Sequence, residues 1–174
     1  MKTVLRIFGI IVILISLLTC SMSIYRAHID REELIAQQAE LGEVKTKLAA
    51  LKEEAKVMTG ESKVQMDEEI ATIENALQQV PSSSAYFAVE VLLLVLLVMA
   101  LIFGFLLFRP NLKRSNQLFL VAVILTIIVF FVSPDIKRGA YSGLPSRTLA
   151  LLSGIPVVIA GLFALLVAKR SVSK

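Results

Sequence analysis

Eighteen consecutive residues, VLLLVLLVMALIFGFLLF at positions 91–108, carry no charged or hydrogen-bonding side chain. A helix rises 1.5 Å per residue, so about 20 residues of this kind cross a hydrocarbon core of about 30 Å. In water such a run has no polar face to present. In lipid a helix satisfies its own backbone groups and needs none. Three further apolar runs accompany it: Val4 to about Ile24, Gln117–Val132 and Thr148–Ala168. The third run in chain order, 117–132, is short and must thin the bilayer or draw in Asn116 and Gln117. Hydrophobic residues make up 56% of the chain and charged ones 18%, whereas soluble domains hold about 45–50% and about 25%.

These runs predict an all-α integral membrane protein with four transmembrane helices. The expected organisation is helix 1 at 1–24, an extracytoplasmic segment at 25–84, helix 2 at 85–108 and a cytoplasmic loop at 109–116. Helix 3 follows at 117–132, an outer loop at 133–147, helix 4 at 148–168 and a cytoplasmic tail at 169–174. Orientation follows the Lys/Arg bias of short flanking segments. Eight basic residues (Lys2, Arg6, Arg109, Lys113, Arg114, Lys169, Arg170, Lys174) fall on the side of the termini. Five (Arg26, Arg31, Lys137, Arg138, Arg147) fall on the other. Both termini are therefore expected in the cytoplasm of a plasma membrane, with a bacterial inner membrane the best fit.

The segment 25–84 has a different character. It holds seven Lys or Arg against twelve Asp or Glu, a balance of −5, while the remainder holds eleven against two. Leu34, Gln37, Leu41, Val44, Leu48, Leu51, Ala55 and Met58 alternate spacings of three and four, the seam of a coiled coil. Met66, Ile70, Ile73, Leu77 and Val80 repeat the device. Between them Thr59-Gly60-Glu61-Ser62 supplies a glycine for a left-handed cap and a serine to start the next helix. Pro81 ends the second arm. The prediction is an extracytoplasmic antiparallel coiled-coil hairpin between the first and second transmembrane helices.

Its legs do not match. From Ile24 to Leu41 a helix runs about 25 Å, while Val80 to Ala85 reaches at most about 18 Å fully extended. Leu34, Gln37 and Leu41 are left beyond the second arm's cover. The stripe residues are thus candidate partner-binding positions, with an identical subunit the simplest partner because symmetric homo-oligomers are the common case. A larger membrane complex is the other.

Other candidate sites are sparse. Glu90 is the single acidic residue within a predicted span, a position that by default suggests ion handling. It lies only about 7–8 Å inside by helical rise, where it can instead be hydrated or pair with Arg147. Lys2 and Arg6, an apolar stretch and then Leu17-Leu18-Thr19-Cys20 have the layout of a lipoprotein signal with Cys20 as the lipidated residue. Thr19 stands where that pattern wants a smaller residue. Small residues four apart (Ala100 and Gly104; Ala150 and Gly154; Ala160, Ala164 and Ala168) allow close helix packing in lipid. Pro156 removes a backbone donor and is expected to bend span four. One Cys and one His leave no disulfide and no His-based metal cluster. No phosphate-binding glycine loop or nucleophile–base arrangement occurs. No cofactor, small-molecule substrate or nucleic acid is therefore expected.

Four spans with a long first outer loop is a layout similar to that of claudin-like tetraspan proteins. The resemblance ends at topology, because their first loop is β-structure marked by Trp and a Cys pair. Here there is no Trp, one Cys and a helical pattern. The function expected is non-enzymatic, an assembly or accessory subunit in the bilayer. A transporter or channel subunit using Glu90 or the bend at Pro156 is the alternative from a different class. A sensor whose hairpin binds a ligand is a third.

Overall fold

The computed structural model describes residues 2–78, 80, 82–134 and 146–172. Among these every regular element is a helix: α1 Lys2–Ala36, α2 Gln38–Ala55, α3 Glu61–Gln78, α4 Ser83–Phe108, α5 Leu112–Val132 and α6 Ser146–Val172. Four helices are long and apolar enough to cross a membrane, contained in α1, α4, α5 and α6. Lys137 and Arg138 of the basic outer loop lie outside the described residues, as does Pro81. The chain divides into two units, Met1–Ile29 with Ser84–Lys174, and Asp30–Ser83.

In the four-helix unit, α1 buries one narrow face. Gly9, Ile13, Ser16, Cys20, Ser23 and Ala27 are all buried and alternate spacings of four and three. Ile7, Phe8, Leu14 and Leu18 point outward, as lipid-facing residues do, while Leu5, Val12, Leu17 and Ile24 flank the face and are partly buried against the core. The face of α6 has the same rhythm: Ala150, Ser153, Val157, Ala160, Ala164 and Val167 are buried. The bulk that fills the space between these small residues comes from α4, where Leu93, Leu96, Phe103 and Leu107 are fully enclosed. A Cβ added at Gly9 would meet Leu107 Cδ1 at 2.7 Å, and one at Gly161 would meet the Phe103 ring at 2.8 Å. Small residues on α1 and α6 are thus the sockets for large residues on α4. The small pairs expected from their spacing, Ala100 with Gly104 and Ala150 with Gly154, lie on these packed faces.

Contacts set the directions within this unit. Gly9 lies against Leu107 and Phe163, Gly104 against Ile13, Gly154 against Thr126 and Gly161 against Phe119. Rising residue numbers on α1 and α5 therefore meet falling numbers on α4 and α6. The helix containing the short third run is longer than that run. It begins at Leu112, because Asn111 Oδ1 accepts from Arg114 N at 3.0 Å and caps it. Its 21 residues span about 31 Å. Residues 112–116, expected in a loop, are its first turn. At its other end Ser133 Oγ donates to Val129 O at 2.7 Å. α6 continues through Pro156 without a break. The bond lost there is the one to Leu152 on the outward side.

In the unit Asp30–Ser83, α1 passes into α2 at Gln37, where hydrogen bonds of 3.0 Å from Gln37 N to Glu33 O and from Leu41 N to Gln37 O bridge the joint. α2 and α3 pack on one another. Lys56 N and Val57 N bond back to Glu53 O and Glu54 O to end α2, and Gly60 adopts φ 75°, the left-handed region that glycine enters without steric cost. α3 starts at Glu61, one residue before the serine expected to open it, with Lys63 N on Gly60 O at 3.2 Å.

Candidate functional site

The least exposed positions of α2 and α3 belong to the stripe. Ala55 is 6% and Ile70 9% exposed, and Leu48, Leu51, Met58, Met66, Ile73 and Leu77 are half-buried. Their periodicity explains this, since spacings of three and four hold one face toward a neighbouring helix. Lys52 Nζ lies 2.5 Å from Glu74 Oε1 across the pair. Both side chains are largely solvated, so the bridge selects register more than it stabilises.

Away from the turn the two arms diverge. Leu34, Gln38, Leu41, Gly42 and Lys45 on one side and Leu77, Val80, Ser82 and Ser83 on the other line an open cleft of about 520 Å³. Leu34 and Leu41, expected to want cover, both line it, while Gln37 is exposed at the α1–α2 joint and takes no part. Val44 and Val80, also on the predicted seam, are 37% exposed. The arms enclose each other's stripe near Ala55 and Ile70 and leave it open at the far end.

The remaining candidates are in the four-helix unit. Glu90 is 14% exposed by its side chain, with Oε1 3.6 Å from His28 Nδ1. His28, whose side chain is 53% exposed, is thus one neighbour of Glu90. Arg147 donates from Nε to the O of Ser133, the C-cap of α5, at 3.2 Å and lies 5.8 Å from the Phe130 ring centroid. It ties the start of α6 to the end of α5. Cys20 is the candidate lipidation site of the sequence. In the folded chain it is fully buried, with Sγ 3.9 Å from Ser153 O, and it behaves as a small packing residue. Ser153 Oγ, in turn, is within hydrogen-bonding distance of Thr19 O, Ser23 Oγ (2.7 Å) and Leu149 O, and Ser23 Oγ donates to Leu149 O at 3.3 Å.

This polar seam between α1 and α6 was missed in the sequence, although its spacing of four and three was present there. No group of three or more His, Cys, Asp or Glu among the described residues is placed to hold a metal ion. No family model, curated protein or solved structure matches the chain.

Proposed function

We propose that the chain is a non-enzymatic integral membrane protein of a plasma membrane, whose segment Asp30–Ser83 forms an antiparallel coiled-coil hairpin outside the cytoplasm and assembles with a second copy of itself. The observation that carries this reading is the cleft between the diverging arms. Leu34, Leu41, Leu77 and Val80 line it, and apolar surface of this kind on a water-exposed segment marks an interaction site. A second copy supplies the matching stripe under two-fold symmetry, because a two-fold interface is made from the same patch on both subunits.

Cysteines placed singly at Leu34 and Gln37 in a Cys20→Ala background test it. Disulfide-linked dimers are expected at both positions in intact membranes, and none at an exposed α3 position such as Gln65. Exclusively monomeric chains at all three positions would remove the reading.

The buried flank of Glu90 beside His28 favours a second reading, a transporter or channel subunit. Glu90→Gln separates the two. Loss of ion or solute flux with unchanged crosslinking supports transport. Unchanged behaviour in both measurements supports assembly.

A further inference from the structure

The end of the four-helix unit that holds Arg6 is positive and has no carboxylate side chain among its described residues. Of the eleven Lys and Arg outside residues 25–84, seven described ones belong to this end: Lys2, Arg6, Arg109, Lys113, Arg114, Lys169 and Arg170. Only two acids lie outside that segment: Glu90 is near the start of α4, at the opposite end, and Asp135 is outside the described residues. Positive charge here also orients the chain, but orientation places no demand on where a guanidinium is buried.

Arg6 continues the buried stripe of α1 one turn before Gly9. Its Nε is buried without a hydrogen-bond partner, and so is Ser115 Oγ on α5. Register places the two on one layer. Gly9 lies against Phe163 of α6, and Phe119 of α5 lies against Gly161 of α6. Arg6 is three residues below Gly9 and Ser115 four below Phe119, about 4.5–6 Å in each case. Buried polar groups in native proteins have partners, and among the described residues neither atom has one. The missing partner must accept hydrogen bonds, carry negative charge and reach a layer at the ends of membrane-spanning helices.

We propose that this layer binds the phosphate of an anionic phospholipid. The phosphate accepts from the Arg6 guanidinium and the Ser115 hydroxyl and lies within the field of Lys113, Arg114, Lys169 and Arg170. Guanidinium and phosphate match in charge and donor geometry. The lipid source follows from the surroundings. Val4, Ile7 and Phe8 on α1 and Leu120 and Val121 on α5 are exposed apolar residues flanking the layer, and acyl chains cover them where a free phosphate cannot. This inference rests on the four-helix unit alone and is independent of how Asp30–Ser83 assembles.

The full chain, purified in non-ionic detergent, is titrated with phosphatidylglycerol, phosphatidylcholine or inorganic phosphate. Bound lipid is read by native mass spectrometry and the unfolding midpoint is followed in parallel. Phosphatidylglycerol should bind about tenfold more tightly than phosphatidylcholine, as expected for charge-assisted hydrogen bonds. Arg6→Gln should remove most of that preference, Arg6→Lys should keep part of it, and Ser115→Ala should weaken it. Exposed Lys113→Gln should matter less than Arg6→Gln. If Arg6→Gln does not fold, Arg6→Lys and Ser115→Ala carry the decision. Equal binding of the two lipids overturns the proposal, as does an undiminished preference in the folded Arg6 and Ser115 variants. Protection by inorganic phosphate equal to that by phosphatidylglycerol overturns the lipid source.

Discussion

Gly154→Ala is expected to destabilise the four-helix unit by about 1–3 kcal/mol, the usual cost of overpacking a tight site. The new methyl would overlap Thr126 Cγ2 and lie 2.7 Å from Thr126 Oγ1 and 3.0 Å from Thr126 Cβ. Thr126 cannot swing aside freely. It is buried, its hydroxyl donates to Ala122 O at 2.8 Å, and its β-branch restricts χ1. The added alanine gains about 1 kcal/mol of intrinsic helix propensity, which offsets only part of the strain. The remainder must separate α5 from α6. Two atoms of the clash belong to the threonine branch, so Thr126→Ala should restore much of what Gly154→Ala removes. Unfolding midpoints of both single variants and the double variant, measured in one detergent, give the coupling directly. A Gly154→Ala protein as stable as the parent would mean that α5 and α6 are not packed this closely.

Ile70→Asp is expected to melt the α2–α3 pair while leaving the spans helical. Ile70 is the most buried position on α3. Truncating a core isoleucine alone costs about 2–5 kcal/mol, and a carboxylate at the same place adds the cost of losing its hydration. Two helices of 18 residues each are marginal in water without tertiary packing, so nothing remains to absorb that loss. The helical signal should fall by about the share of these two helices. New proteolytic cuts should appear at Lys45, Lys47, Lys52, Lys56 and Lys63. Val64→Asp is the matched control: Val64 is 59% exposed on the same helix, and the change should alter little. If Ile70→Asp and Val64→Asp behave alike, the two arms do not hold one another through this stripe.

The two variants probe different physics, and the difference explains what was legible beforehand. Outside the membrane, water sorts side chains by polarity, so a stripe such as Leu48, Leu51, Ala55 against Ile70, Ile73, Leu77 announces which face is covered. The Gly60 turn was legible for a related reason: few residues but glycine enter φ 75° readily, and the chain must reverse somewhere between two such stripes. Within the membrane that signal disappears. Leu14 and Leu18 face outward while Leu93 and Leu96 are enclosed, and no difference in hydrophobicity separates them, because lipid tails are as apolar as leucine.

The sequence by itself determined that four segments are apolar enough to span a bilayer and that a charged, heptad-patterned segment separates the first two. Length, composition and period are local properties and need no knowledge of neighbours. Only the tertiary structure decided that Gly9, Cys20, Ser23 and Ser153 share a seam, and that Phe103 and Leu107 fill the gaps left by glycines. It also placed His28 beside Glu90 and Arg6 on the same layer as Ser115. In a dry medium, packing is chosen by shape and by the pairing of a few polar atoms, and both are properties of two surfaces together.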